Sequence, residues 1–100
     1  MRGDRIGTRR RDREDIIVGI LDAVDHKINK ISSIMRNVNL NAISAKKYLD
    51  YLMKNKMIVE NNGEYALTDK GRRVLELLKE KRKIELELTL LLNDVMNLLR

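Results

Sequence analysis

The period of the apolar positions changes along this chain, and each change marks an element. Ile17, Ile20, Leu21 and Val24 recur at spacings of three and four, one face of a helix, behind Asp12 as a cap. Glu14 and Asp15 fall in the first turn, where carboxylates meet the positive end of the helix dipole. Gly19 costs this helix a little and lets another element approach closely. A short second helix is expected from about Lys30 to Asn37, with Ile31, Ile34 and Met35 inward and Asn37-Val38-Asn39 as the turn that follows. A third helix is expected from Asn41 to Lys54, with Asn41 as N-cap and Ala45, Tyr48, Leu49 and Leu52 as its buried stripe. Its opposite face carries Ala42, Ile43, Lys46, Lys47 and Asp50.

Beyond it the helical period gives way to two short runs, Met57-Ile58-Val59 and Tyr65-Ala66-Leu67, that bracket Glu60-Asn61-Asn62-Gly63-Glu64. Asn and Gly tolerate the positive φ of tight hairpin turns, so this stretch predicts a β-hairpin. Thr68 then caps a last helix that meets no proline before Arg100 and no glycine after Gly71, roughly 45 Å long at about 1.5 Å per residue. Val74, Leu77, Lys81, Ile84, Leu88, Leu91, Val95 and Leu98 follow the alternating spacing of heptad a and d positions, with Lys81 the only polar member. A helix of that length cannot fold back on so small a domain, so its seam calls for a second copy. In a parallel pair Glu80 would face Glu85 of the other chain, while Leu78, Leu92 and Leu99 widen the stripe. Antiparallel pairing is therefore favoured.

The expected fold is mainly α with a small β-hairpin: a winged helix-turn-helix over residues 11–68, then a coiled-coil dimerisation helix over 69–100. Residues 1–10, with Arg2, Arg5, Arg9 and Arg10 and little to bury, read as a flexible basic arm. The single domain of 100 residues is small enough to gain from a partner.

Charge narrows the choice of partner. Lys and Arg number 21 against 15 acidic residues, for a net charge of +6, which favours polyanions. No apolar run resembles a secretory signal, and Leu88 to Leu92 is too short to span a bilayer, so a cytoplasmic, nucleoid-associated protein without membrane contact is expected. The absence of Cys removes disulfides, thiolate metal sites and cysteine nucleophiles. His26 is the lone histidine, and Glu14, Asp15, Asp22 and Asp25 read as a charged, solvating helix face. The glycines form no phosphate loop. No catalytic set, metal site, cofactor or small-molecule ligand is expected.

Duplex DNA fits the residues that remain. In a helix-turn-helix the second helix enters the major groove with its amino end against base edges. Here those positions are Asn41, Ala42, Ile43, Ser44, Lys46 and Lys47. Asn41 and Ser44 suit hydrogen bonds to bases, Ala42 or Ile43 suits a thymine methyl, and the lysines read charge. This helix has no Arg, the residue that best reads guanine bidentately, so sequence preference should be loose. Asn61 and Asn62 form an uncharged wing tip flanked by Glu60 and Glu64, a weaker contact than the helix. Arg9, Arg10, Arg11 and Arg13 have the character of arms that follow a minor groove. RNA is less suited, because base-stacking platforms need exposed aromatics and the chain has no Phe, no Trp and three Tyr.

Ile34-Met35, Asn39-Leu40, Lys47-Tyr48-Leu49-Asp50-Tyr51-Leu52, Met57-Ile58 and Tyr65-Ala66-Leu67-Thr68-Asp69-Lys70-Gly71 together resemble the archaeal small basic winged-helix proteins. These are ten-kilodalton chromatin-type proteins that dimerise through a long C-terminal antiparallel coiled coil. The resemblance covers roughly residues 12–100 and implies a homodimer with two reading helices, binding double-stranded DNA with modest sequence preference. The chain departs from that family at the end of the reading helix. Where the family places Gly, it has Lys56 after Asn55, which points to Asn55 in the left-handed conformation. The wing also lacks the family's basic residues. A reading from another class keeps the winged fold but uses it to dock a protein beside the coiled coil.

Overall fold

A computed structural model describes residues 11–100. The elements run α1 (Arg13–Asp25), α2 (Ile31–Val38), α3 (Ala42–Lys54), β1 (Ile58–Asn61), β2 (Glu64–Leu67) and α4 (Asp69–Leu99). Local sequence accounts for most of the boundaries. Asp12 caps α1 by accepting from the Asp15 amide at 2.8 Å, and the Asp15 carboxylate accepts in turn from the Asp12 amide at 3.0 Å, a reciprocal capping box. Asn41 accepts from the Ser44 amide at 2.8 Å to start α3, and Thr68 accepts from the Gly71 amide at 3.0 Å to start α4.

Two boundaries differ from the sequence expectation. Helix α2 extends through Val38, which is buried, so the turn begins only at Asn39, in the left-handed region at φ 58° and ψ 59°. Ile31, expected inward, is 40% exposed, because Ile34 and Val38 take the core-facing positions one turn apart. At the end of α3 it is Lys56 that turns left-handed, at φ 62°, while Asn55 stays at φ −90° and closes the helix with its side-chain amide on the Tyr51 carbonyl, 2.9 Å away. Capping through its side chain, Asn55 leaves the reversal to its neighbour.

The core is one cluster drawn from every helix and the first strand: Ile20, Leu21, Ala23, Val24, Ile34, Val38, Leu49, Leu52, Ile58 and Leu75. Ile20, Leu21, Ile34, Leu49, Leu52 and Ile58 are fully buried, and each such side chain contributes roughly 1.5–3 kcal/mol by leaving water. Gly19 admits Val38 of α2 to α1, since a β-carbon there would lie 3.1 Å from a Val38 methyl. Gly71 and Leu75 are buried too, so the first turns of α4 belong to the same core as the winged unit.

The hairpin pairs Ile58 with Leu67 and Asn61 with Glu64, and turns on Asn62 (φ 53°) and Gly63 (φ 81°), the two positive-φ residues of a tight hairpin turn. Lys30 bridges Glu64, and the Tyr65 amide donates to the Asn29 carbonyl at 2.8 Å, so the segment before α2 joins the outer edge of the hairpin. That isolated bridge ties the wing to the helix-turn-helix.

Candidate nucleic-acid interface

The face that matters is the outer side of α3. Ala45, Leu49 and Leu52 hold the helix against the core, and the 3.6-residue period then forces Ala42, Ile43, Lys46, Lys47 and Asp50 to solvent. Ile43 is 84% exposed, a large aliphatic residue among the polar side chains of this face. Lys46 lies 3.4 Å from Asp50 one turn on, an exposed pair that is weak in water. Asn41 and Ser44 stand at the amino end of the helix, but the Asn41 side-chain oxygen is committed to the cap.

The wing lies beside this helix, with β1 packed against α3. Asn61, Asn62 and Gly63 are exposed at its tip, with Glu60 and Glu64 exposed beside them. Tyr65, half-buried behind them, has its phenol pKa raised by burial first and by Glu60 and Asp50 second. The wing therefore presents amides on an acidic stem.

The arginines divide. Arg9 and Arg10 lie outside the described residues. The Arg11 guanidinium donates to the Val38 carbonyl and, at 3.0 Å, to the Asn39 carbonyl, the last acceptors of α2 and its turn. Arg13 sits over the Tyr51 ring of α3, 5.4 Å from its centroid. Both have partners within the protein, which sequence reasoning missed because 28 residues separate Arg11 from its more distant acceptor.

Away from this face, α1 and α4 are joined by opposite charges. Arg82 meets Glu14 and Asp15, Lys81 meets Glu14, Lys79 meets Asp22 and Arg72 meets Asp25, the last two at 2.7 Å. The Glu14 carboxyl is held below the usual carboxylate range by its hydrogen bond from Lys81, against an opposing effect of burial. The acidic residues expected merely to solvate α1 thus clamp the long helix. His26, the C-cap of α1, places Nδ1 2.8 Å from the Asp22 carbonyl and 3.6 Å from the Asp22 carboxylate. No group of three metal-ligating residues occurs among the described residues, and no described helix is long and apolar enough to cross a membrane.

Beyond Arg82 the helix runs clear of the domain. Leu77, Ile84, Leu88, Leu91, Val95 and Leu98 of the seam are all exposed, as are Leu86, Leu90, Leu92, Met96 and Leu99. Val74, at the start of the seam, is half-buried against the core of its own domain. Lys81 is paired with Glu14 and lies 3.7 Å from Glu85.

Three helices, a left-handed turn before the third, and a hairpin leading into a long helix match a known family model over residues 10–86. The chain belongs to the winged helix-turn-helix family. Its structure superposes on that of Sso10a-2, a DNA-binding protein from Sulfolobus solfataricus, with a TM-score of 0.75 and 28% identity, covering 90% of this chain and 98% of that one. It is also 39% identical over 71 residues to an uncharacterized protein of Methanocaldococcus jannaschii. The match takes in 71% of this chain and 34% of that relative, so the chain spans about a third of its length. Both relatives are archaeal, in keeping with the family resemblance carried by the sequence motifs.

Proposed function

We propose that this winged helix-turn-helix chain binds double-stranded DNA as a homodimer, with α3 in the major groove. The observation that carries the reading is the outer face of α3, where Ile43 stands 84% exposed between Ala42 and Ser44 on one side and Lys46 and Lys47 on the other. An aliphatic side chain has nothing to gain there in water, whereas a thymine methyl in a major groove offers it apolar contact. Lys46 and Lys47 supply phosphate or base-edge contacts, and Asn61 and Asn62 offer amides to the adjacent backbone. Arg9 and Arg10 add charge toward the same duplex. The similarity to a DNA-binding protein supports the partner, and the net charge of +6 supports a polyanion.

Dimerisation rests on α4. Its seam from Leu77 to Leu98 is exposed in the isolated chain, and a second copy running antiparallel covers it while holding two α3 helices apart on one rod. Such a dimer is chromatin-associated or transcription-regulating according to its selectivity. A titration against random and selected duplexes at two salt concentrations tests this. Packaging predicts one affinity for all duplexes, falling with a slope of about 0.9 per phosphate contacted. Regulation predicts a preference for one site that survives at physiological salt. Failure to bind either duplex would overturn the reading.

A further inference from the structure

We propose that Arg11 is a positioning residue for DNA recognition, setting the amino end of α3 by locking the turn that precedes it; the proposal rests on the DNA-binding reading above. The geometry is particular. Arg11 lies before the Asp12 cap and outside α1, yet its guanidinium reaches the carbonyls of Val38 and Asn39, 27 and 28 residues away. Those carbonyls end α2, where no further helical amide comes round to meet them and where the helix dipole is negative. A planar guanidinium satisfies two acceptors at once and adds its charge.

What it holds is the pivot of the recognition unit. Asn39 is the left-handed residue of the turn, the Leu40 amide returns to the Met35 carbonyl at 2.9 Å, and Asn41, the next residue, caps α3. The second acceptor of Arg11 stands two positions before the cap of the reading helix. Asn adopts the left-handed region more readily than other non-glycine residues, so the turn forms without strain at Asn39, and the Arg11 fork fixes the carbonyls on either side of it. Arg13 makes an independent contact of another kind, its guanidinium 5.4 Å from the Tyr51 ring centroid toward the other end of α3. The start of α1 is therefore tied to the turn before α3 and to the far part of α3 itself.

Positioning and direct contact separate by salt dependence. A substitution that removes a phosphate-binding cation lowers the slope of log affinity against log salt by about 0.9. One that removes a positioning group lowers affinity and leaves that slope alone. Duplex binding by the unaltered chain, Arg11→Gln and Arg11→Lys is measured across a salt series, and amide hydrogen exchange at Leu40 and Ser44 is followed without DNA. The expected result for Arg11→Gln is an affinity about tenfold weaker, the scale of one charged hydrogen bond, at an unchanged slope. Arg11→Lys, which keeps the charge but not the fork, does not restore it. Exchange at Leu40 and Ser44 quickens in both variants while the amides of Ile20 and Leu52 stay protected, which shows an intact core. A slope lowered by about 0.9 and restored by Arg11→Lys would make Arg11 a phosphate contact and overturn the proposal. Unchanged exchange with normal duplex binding would overturn it too. If the unaltered chain binds no duplex, the DNA-binding reading itself falls and carries this proposal with it.

Discussion

The carbonyl oxygen of Met57 occupies the space that a β-carbon on Gly71 would need, and the Met57 carbonyl carbon lies 2.9 Å from the same point. That carbonyl accepts from the Thr68 amide at 3.0 Å, and the Thr68 hydroxyl donates to the Lys56 carbonyl. One short junction therefore joins the end of α3, the base of the wing and the start of α4. The bare glycine is what lets the backbone of α4 come so close.

Gly71→Ala should therefore destabilise the domain. The obstacle is backbone on both sides, so no side chain can swing aside, and the cost should reach or exceed the roughly 1–3 kcal/mol of overpacking. Thermal unfolding should show a fall in Tm of several degrees, on the scale of about 4–8 °C per kcal/mol for a domain this size. Gly19→Ala should cost less, because the neighbour there is a Val38 methyl that can give. Equal losses at both positions would contradict the role assigned to the Met57 carbonyl.

Replacing Lys46 and Lys47 with Glu should abolish measurable duplex binding and leave the oligomeric state intact. Both side chains are exposed on the outer face of α3, and neither touches the core or α4. Fluorescence anisotropy reports the first half and sedimentation the second. An unchanged affinity would place the DNA contact on another face.

Leu88→Lys combined with Leu91→Lys should produce monomers. Both leucines are more than half exposed on the free length of α4, so the substitutions disturb nothing in the winged core. Sedimentation velocity should show a single smaller species with unchanged helicity. A dimer that persisted would mean that another surface joins the copies.

Acid should loosen the hold of α1 on α4. The Glu14 carboxyl titrates below its usual range, so its contribution to stability is fully present above the unfolded pKa. As the pH falls through the lowered folded value, Glu14 takes up a proton and its pairs with Lys81 and Arg82 are lost. Glu14→Gln should remove part of the stability difference between neutral and acid pH, read from denaturant midpoints at the two. Should the variant keep the full acid sensitivity of the unaltered chain, the source lies in another carboxylate.

The extent to which the fold can be read from the chain follows from how local each cause is. The stripes of α1 and α3, the Asp12, Asn41 and Thr68 caps and the Asn62-Gly63 turn depend on residues within a few positions of one another, and these are found where the pattern puts them. Val38 is different: its neighbours Asn37 and Asn39 have turn chemistry, while its burial against Gly19 comes from a distant helix. Leu75 stands outside the heptad positions and is core, because its turn of α4 faces α1 rather than solvent. For the candidate site, the outward residues of α3 follow from periodicity alone, but the partners of Arg11 and Arg13 do not.

By itself, the sequence determined the order of elements, the exposed face of α3, the basic character of the chain and the long apolar stripe of its last helix. These follow from periodicity, capping and composition, which act over a few residues or over the whole chain at once. Tertiary structure alone decided that Arg11 serves the turn before α3, that Glu14 and Asp15 grip Lys81 and Arg82, and that Gly71 must stay bare beneath Met57. Each of those depends on groups that chain folding brings together across long separations, so hydrogen-bond and steric demands settle them only once the core has formed.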